Sequence, residues 1–289
     1  MKIPSLLVGI LITFFSAHSG AQVIVISDID DTIQLTQIKP SAPTVTARAV
    51  RYWNLLINVF RSHDSFTGMS ATYTFAASES VRFHYVSGAP QRLERLPSKF
   101  LQTSGFPVGK LWTRPSTAVP TKDFKIRKIR EIMNADPLVE VILVGDNGEY
   151  DTEVYEEISN DPVLGRRVKA TLIHDLYPES VGKPLRPGQK SYFTAADFAV
   201  SLHQVGVLQE SQLAAVFGLI EQGLNSRFGV IRDRTFPSFA RLERKHVDLL
   251  AKMSASLENP ILNAAFSRII QILGKRVPAL SCRALVAGF

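Results

Sequence analysis

Residues Val23–Thr32 read V-I-V-I-S-D-I-D-D-T. Four β-branched apolar residues in succession, Val23 to Ile26, have the composition of a strand buried on both faces of a parallel sheet. The strand runs straight into Asp28, Asp30 and Asp31, flanked by Ser27 and Thr32. Carboxylates packed this closely at the end of a buried strand are costly unless a cation lies among them. Hard cations such as Mg²⁺ prefer carboxylate and carbonyl oxygens, which makes Mg²⁺ the expected partner. In an open α/β sheet, ligands bind outside the carboxyl ends of the strands, where these aspartates fall.

Outward from this stretch, the chain alternates between two periodicities. Arg48–Phe60 places Trp53, Leu56, Ile57 and Phe60 at helical spacing, and Thr67–Met69 opens a second predicted helix reaching towards Ser78. Val81–Ser87 reads as a strand, Gln91–Leu101 as a helix, and Leu111–Thr113 as a short strand after the Gly105–Pro107 turn. Asp123–Ala135 is a basic amphipathic helix with Ile126, Ile129, Ile132 and Met133 on its apolar side. Val139–Val144 is another strongly buried strand, followed by a helix over Asp151–Asn160 and a last strand over Arg167–Ile173. Strands alternating with helices predict an α/β fold with a doubly wound parallel sheet. Pro178–Lys190, with three prolines and two glycines, reads as a linker. Beyond it Ala195–Val205, Glu210–Leu224, Ser238–Leu257 and Pro260–Leu273 read as a small all-helical C-terminal region. That region shows no repeat, metal-ligand spacing or catalytic pair. The expected division is thus a catalytic unit over 22–177, a linker over 178–190 and a helical region over 191–289.

The 289 residues carry a formal charge of +7, which favours anionic partners such as phosphate esters or acidic lipid surfaces. Basic clusters are short (Lys125–Arg130 and Arg166–Lys169) and the rest are scattered, so no nucleic-acid partner is expected. At the N-terminus, Lys2, the apolar run Ile3–Phe15 and the small residues of Ser16–Ala21 have the layout of a signal peptide over residues 1–21. Cleavage would leave Gln22 first and make the protein an exported one, periplasmic or secreted. The alternative is an uncleaved anchor, for which the run is shorter than the ~20 residues of a membrane span. Cys282 is the only cysteine, so no intramolecular disulfide can form, and a small buried apolar role is expected for it.

Polar groups suited to one site recur at the strand ends. The first strand delivers Asp28 and Asp30, the next Ser87, and Val139–Val144 delivers Asp146, with Asp151 opening the helix behind it. In a parallel sheet these converge on one edge, and Lys125, near the start of the preceding helix, can reach it. The histidines do not join in: His84 reads as packed mid-strand, while His63, His203 and His246 show no ligand spacing and read as surface residues.

Taken together, D-I-D-D-T (Asp28–Thr32), Ser87, Lys125 and G-D-x-x-x-x-D (Gly145–Asp151) resemble the four motifs of the haloacid dehalogenase superfamily. More narrowly, the chain resembles the actin-patch class of Mg²⁺-dependent phosphatidate phosphatases and their bacterial relatives. The residues that carry the resemblance are Ser27–Ile33, Thr67–Met69, Phe83–Pro90, Gly105–Leu111, Phe124–Ile129 and Leu143–Tyr155. It spans roughly Val23 to Tyr177 and leaves out the C-terminal helices. Two positions depart from the family: Gln91 stands where a tryptophan is usual, and His174 where an arginine is common.

The resemblance implies a sheet of haloacid-dehalogenase type and an Mg²⁺-dependent phosphatase acting on phosphatidate or a related lipid phosphate; the alternatives are a general periplasmic phosphatase for soluble phosphate esters and a non-catalytic module whose helical tail docks a partner or a membrane surface. The resemblance further implies Asp28 as nucleophile and Asp30 as general acid and base. Mg²⁺ would be bound by Asp28, the backbone carbonyl of Asp30 and Asp146, while Asp151 either positions a metal-bound water or holds Lys125. Ser87 and Lys125 would donate to the phosphoryl oxygens, Lys125 being favoured over Lys128 by its motif position. Thr32, Gly88 and Asn147 are expected to line the substrate side, with Thr32 also fixing the loop, and Asp31 is expected to be structural. The stretch between the first aspartates and Ser87 leaves room for a helical cap.

Overall fold

The computed structural model describes residues 23–36, 64–78, 80–178, 180–240 and 242–275. The signal segment, the Arg48–Phe60 helix with any cap it forms, His63 and Cys282 lie outside the described residues.

Among the described residues, six strands form one sheet: β1 (Val23–Ser27), β2 (Val81–Pro90), β3 (Lys110–Arg114), β4 (Glu140–Asp146), β5 (Val168–His174) and β6 (Lys190–Tyr192). Their spatial order is β3-β2-β1-β4-β5-β6, and every neighbouring pair is parallel. The chain builds outward from β1 to β3 on one side, then returns to lay β4 against the other side of β1. The gap between β1 and β4 is therefore the point where strand order reverses, which is where doubly wound sheets bind ligands.

Successive side chains of β1 point to opposite faces, and the cores divide accordingly. Ile24 and Ile26, with Val141 and Leu143 of β4, pack on α3 (Thr121–Ala135) and α4 (Asp151–Ser159) through Phe124, Ile129, Met133, Val154 and Ile158. Val23 and Val25, with Ile142 and Val144, face the opposite layer. That layer contains α1 (Met69–Ala76), α2 (Arg95–Thr103) and the C-terminal helices α5 (Ala195–Gln204), α6 (Glu210–Leu224), α7 (Gly229–Thr235), α8 (Arg244–Ala255) and α9 (Pro260–Gly274). Tyr73 of α1 stacks on Phe198 of α5 at 5.7 Å, and Phe217 of α6 on Phe266 of α9 at 5.2 Å.

The region past 190 differs from the expected appendage in one respect. Ser191 and Tyr192 belong to β6, which pairs with β5 and extends the sheet beyond Tyr177. Tyr192 stacks on His174 of β5 at 4.6 Å. The next helix starts with a capping box, in which Asp197 Oδ1 accepts from the Thr194 N–H at 2.9 Å and the Thr194 hydroxyl accepts from the Ala196 N–H at 3.2 Å. Phe198, Val200 and Leu202 of that helix share one core with Val23 and Val25. The C-terminal helices are thus the second layer of an α/β/α sandwich.

Candidate active site

Asp28 continues β1 by one residue: its N–H donates to the Val144 carbonyl of β4 at 2.8 Å. That bond fixes the Asp28 side chain at the carboxyl edge, beside the end of β4 where Asp146 sits. Lys125, on the second turn of α3, is almost wholly buried, and its Nζ lies 3.0 Å from Asp28 Oδ1 and 2.5 Å from Asp151 Oδ1. The other oxygen of Asp151 accepts from the Asp146 N–H at 3.3 Å. Carboxylate oxygens of Asp28, Asp146 and Asp151 all lie within 4.8 Å of one another. Gly145 permits this approach, since a Cβ there would fall 2.5 Å from Asp151 Oδ2.

Burial pushes the Asp28 carboxyl well above its ordinary range; Lys125 opposes that shift, and the charges of Asp151 and Asp30 reinforce it. Asp146 is raised too, first by burial and then by the charges of Asp151 and Asp28. Burial alone would lower the Lys125 ammonium, yet Asp151, Asp28 and Asp146 together hold it above its usual value. Three buried carboxyl groups surround one ammonium, so ionising all three would leave excess negative charge in a poorly solvated place. An all-oxygen donor set of this kind fits a hard divalent cation.

The loop after β1 is a tight turn in which the Ile33 and Gln34 N–H groups both donate to the Ile29 carbonyl, at 3.0 and 2.9 Å. Asp31 adopts φ +54°, the one non-glycine residue at positive φ among the described residues. Its carboxylate accepts from the N–H and hydroxyl of Thr36, both at 3.0 Å, and from the Tyr177 hydroxyl at 2.6 Å. Asp31 is thus spent on loop geometry. Asp30, by contrast, is only half-buried and accepts a hydrogen bond from Ser87. Burial, then the charges of Asp31 and Glu149, push its carboxyl up to about 7, against the pull of Lys125 and Ser87. The Ser87 hydroxyl in turn accepts from the Ala89 N–H at 3.0 Å.

The sheet edge brings Asp28, Asp146, Asp151 and Lys125 together, with Asp30 and Ser87 beside them. Asp151 holds Lys125, and one of its oxygens also belongs to the acidic triad. Gly88 is half-exposed and packs closely on the first residue of α3, where a Cβ would meet Thr121 Cγ2 at 2.9 Å. Two residues expected on the substrate side are placed otherwise. Thr32 is fully buried, its hydroxyl without a hydrogen-bond partner among the described residues and its carbonyl accepting from the Tyr192 hydroxyl at 3.3 Å. Asn147 is saturated: its Nδ2 donates to Asp175 Oδ1 and to the Tyr177 carbonyl, both at 2.7 Å, and its Oδ1 accepts from the Leu176 and Tyr177 N–H groups at 3.1 and 3.0 Å. An amide offers two donors and two acceptor positions, so none is left for a substrate.

Lys128 lies away from the site, with its ammonium 4.3 Å over the Trp112 ring and paired with Glu131. His84 is packed as expected, accepting from Trp112 Nε1 at 3.1 Å. His203 Nδ1 donates to the Leu208 carbonyl, 2.9 Å away, beyond the end of α5. His246 departs from its expected surface role. It packs on Phe193 at 4.8 Å, and its Nε2 lies 3.8 Å from Asp175 Oδ2, the residue that Asn147 engages. His174, at the arginine position, is buried beneath the aspartate loop with Nδ1 2.9 Å from the Asp31 carbonyl. Burial pushes its imidazole down to about 4, so it stands neutral there. The bracing residues Asp175, Tyr177 and His246 had no signal in the sequence, because their partners are distant along the chain. Gln91 sits exposed in the one-turn 3₁₀ helix that follows β2.

Asp28, Asp30 and Lys125, gathered at the switch point of a parallel sheet, have the arrangement of a site of the haloacid-dehalogenase kind. The family model of the phosphatidate phosphatase APP1 catalytic domain matches residues 23–175, and the chain belongs to that family. It is accordingly a phosphatidate phosphatase-like enzyme, a phosphoric monoester hydrolase that takes a phosphorylated substrate. A comparison with curated proteins finds no match.

Proposed function

We propose that this enzyme hydrolyses phosphatidate or a related lipid phosphate through an aspartyl-phosphate, with Mg²⁺ as its metal. The observation that carries the reading is Lys125, held 3.0 Å from Asp28 and 2.5 Å from Asp151 inside the buried triad. An Asp28 oxygen attacks phosphorus as the ester P–O bond breaks, and Asp30 gives its proton to the leaving alkoxide. Asp30, now ionised, takes a proton from water, whose oxygen attacks the aspartyl-phosphate and returns Asp28 and free phosphate. A carboxyl raised to about 7 suits both halves of that cycle near neutral pH. Lys125 and Ser87 stabilise charge on the transferred group. Asp28, Asp146 and the Asp30 carbonyl would hold Mg²⁺, which when bound supplies charge that offsets the phosphate and its nucleophile.

The leader-like residues 1–21 support export, with the mature chain starting at Gln22 and working in the periplasm or outside the cell. The test is phosphate release from phosphatidate in mixed micelles beside a panel of soluble phosphomonoesters. EDTA is expected to abolish release and Mg²⁺ to restore it; EDTA-resistant turnover would contradict the metal assignment. Release from soluble esters alone would keep the chemistry and replace the lipid with a general phosphate-ester substrate.

A further inference from the structure

Among the described residues, the large apolar side chains left exposed are scattered along the sequence except for one group. Phe228 (56% exposed), Val230 (62%) and Ile231 (40%) lie together at the start of α7. Single exposed hydrophobics are ordinary on a soluble surface, whereas a cluster rimmed by charge marks an interaction site. The rim here is basic: the stretch Ser226–Thr235 holds Arg227, Arg232 and Arg234 against a single acid, Asp233. Arg227 lies over the Phe228 ring at 4.9 Å. Arg227 and Arg232 make no ion pair among the described residues, while Arg234 pairs with Asp64.

The other end of α7 is tied to the catalytic loop. The Arg234 carbonyl accepts from the Thr67 N–H at 2.9 Å, and the Thr235 hydroxyl donates to that of Thr67 at 3.0 Å. The segment so held pairs with the loop after β1, since the Leu35 N–H donates to the Asp64 carbonyl at 3.0 Å and the Phe66 N–H to the Ile33 carbonyl at 3.2 Å. The helix that carries the exposed apolar turn is therefore linked, through its far end, to the loop that carries Asp30.

We propose that Phe228, Val230 and Ile231, with Arg227 and Arg232, form an interfacial anchor that seats the enzyme on an anionic lipid bilayer. The occupant follows from complementarity: aromatic and branched apolar side chains enter the headgroup boundary while arginines meet anionic headgroups. No helix among the described residues is long and apolar enough to cross a membrane. The anchor's catalytic value rests on the lipid-phosphate reading above, as it would bring the aspartates to substrate held in the bilayer; its lipid binding does not.

The test compares the parent with Phe228→Glu/Val230→Glu and with Arg227→Glu/Arg232→Glu. Flotation is measured on phosphatidylcholine vesicles with and without phosphatidylglycerol, and turnover on vesicle-borne phosphatidate and on a soluble phosphomonoester. The parent is expected to float with phosphatidylglycerol vesicles, more weakly as salt rises. Each pair of substitutions should cut that binding by about tenfold or more. Turnover on vesicle-borne phosphatidate should fall in parallel while the soluble rate stays within about twofold, which also verifies folding. Loss of binding in both variants would uphold the anchor even if phosphatidate proved not to be the substrate. Parent and variants floating alike, or the parent not floating at all, would overturn the anchor and leave the phosphatase reading untouched. An equal fall in the soluble rate would assign these residues to folding and also overturn it.

Discussion

Lys125 is the residue on which the electrostatics of the site turn. Among the described residues it is the one cation paired with the Asp28 and Asp151 carboxylates, and nearly all of its side chain is buried. Lys125→Met would leave both carboxylates buried without that partner, a loss of about 3–5 kcal/mol in metal-free protein. It would also remove a donor from the transferred phosphoryl group, lowering kcat by about 100-fold or more. Urea unfolding in EDTA and steady-state turnover with Mg²⁺ check the two effects separately; full stability and full activity in the variant would contradict both. The convergence of Asp28, Asp30, Asp146, Ser87 and Lys125 on one edge was legible in the sequence because each sits at a strand end or near a helix start beside an apolar run. Thr32 and Asn147 are buried in the loops rather than open to the substrate side, and the sequence could not show this. A polar residue in a motif loop can face the substrate or brace the loop, and only its hydrogen-bond partners decide which.

The brace operates at the scale of elements. Asn147 leaves the end of β4 and ties the turn before α4 to the segment after β5, while Tyr177 of that segment reaches the loop after β1 through Asp31. Three loops at the carboxyl edge are thereby locked into one unit, which keeps Asp28 and Asp146 at a fixed separation. Asn147→Ala is expected to cost about 3 kcal/mol by leaving buried partners unsatisfied. Reduced turnover should accompany the lower urea midpoint. A variant of unchanged stability with only a raised KM would instead make Asn147 a substrate contact. The long elements follow from periodicity: α6 spans the expected Glu210–Leu224, and α3, α4, β4 and β5 agree to within two residues at either end. β6 and α7 were not legible. β6 is three residues long in a proline-rich stretch, too short to show alternation, and α7 leaves its apolar residues exposed, so no buried stripe marks it.

Across the whole molecule, the C-terminal helices complete the sandwich. The family match ends at residue 175, yet Val23, Val25, Ile142, Val144 and Leu172 of the sheet share one core with α5, α6 and α9. Sequence reading placed a linker at 178–190 because proline and glycine mark a chain break, and nothing in their pattern tells a connection between domains from a crossover within one. Truncation after Lys190 should therefore expose one face of the sheet and leave a chain without a cooperative unfolding transition, as circular dichroism in urea would show. A truncated chain that unfolds cooperatively and retains full activity would contradict the shared core. The same packing makes point substitutions, rather than truncation, the proper probe of lipid binding by α7.

All three scales lead to Asp28, the carboxylate that the sheet, the brace and Lys125 hold in place. The most direct measurement is phosphate release from phosphatidate in mixed micelles with Mg²⁺, comparing the chain from Gln22 onward with its Asp28→Asn variant. The account predicts steady release by the parent and none above background by a variant that remains folded. Comparable release by the two would contradict the aspartyl-phosphate mechanism.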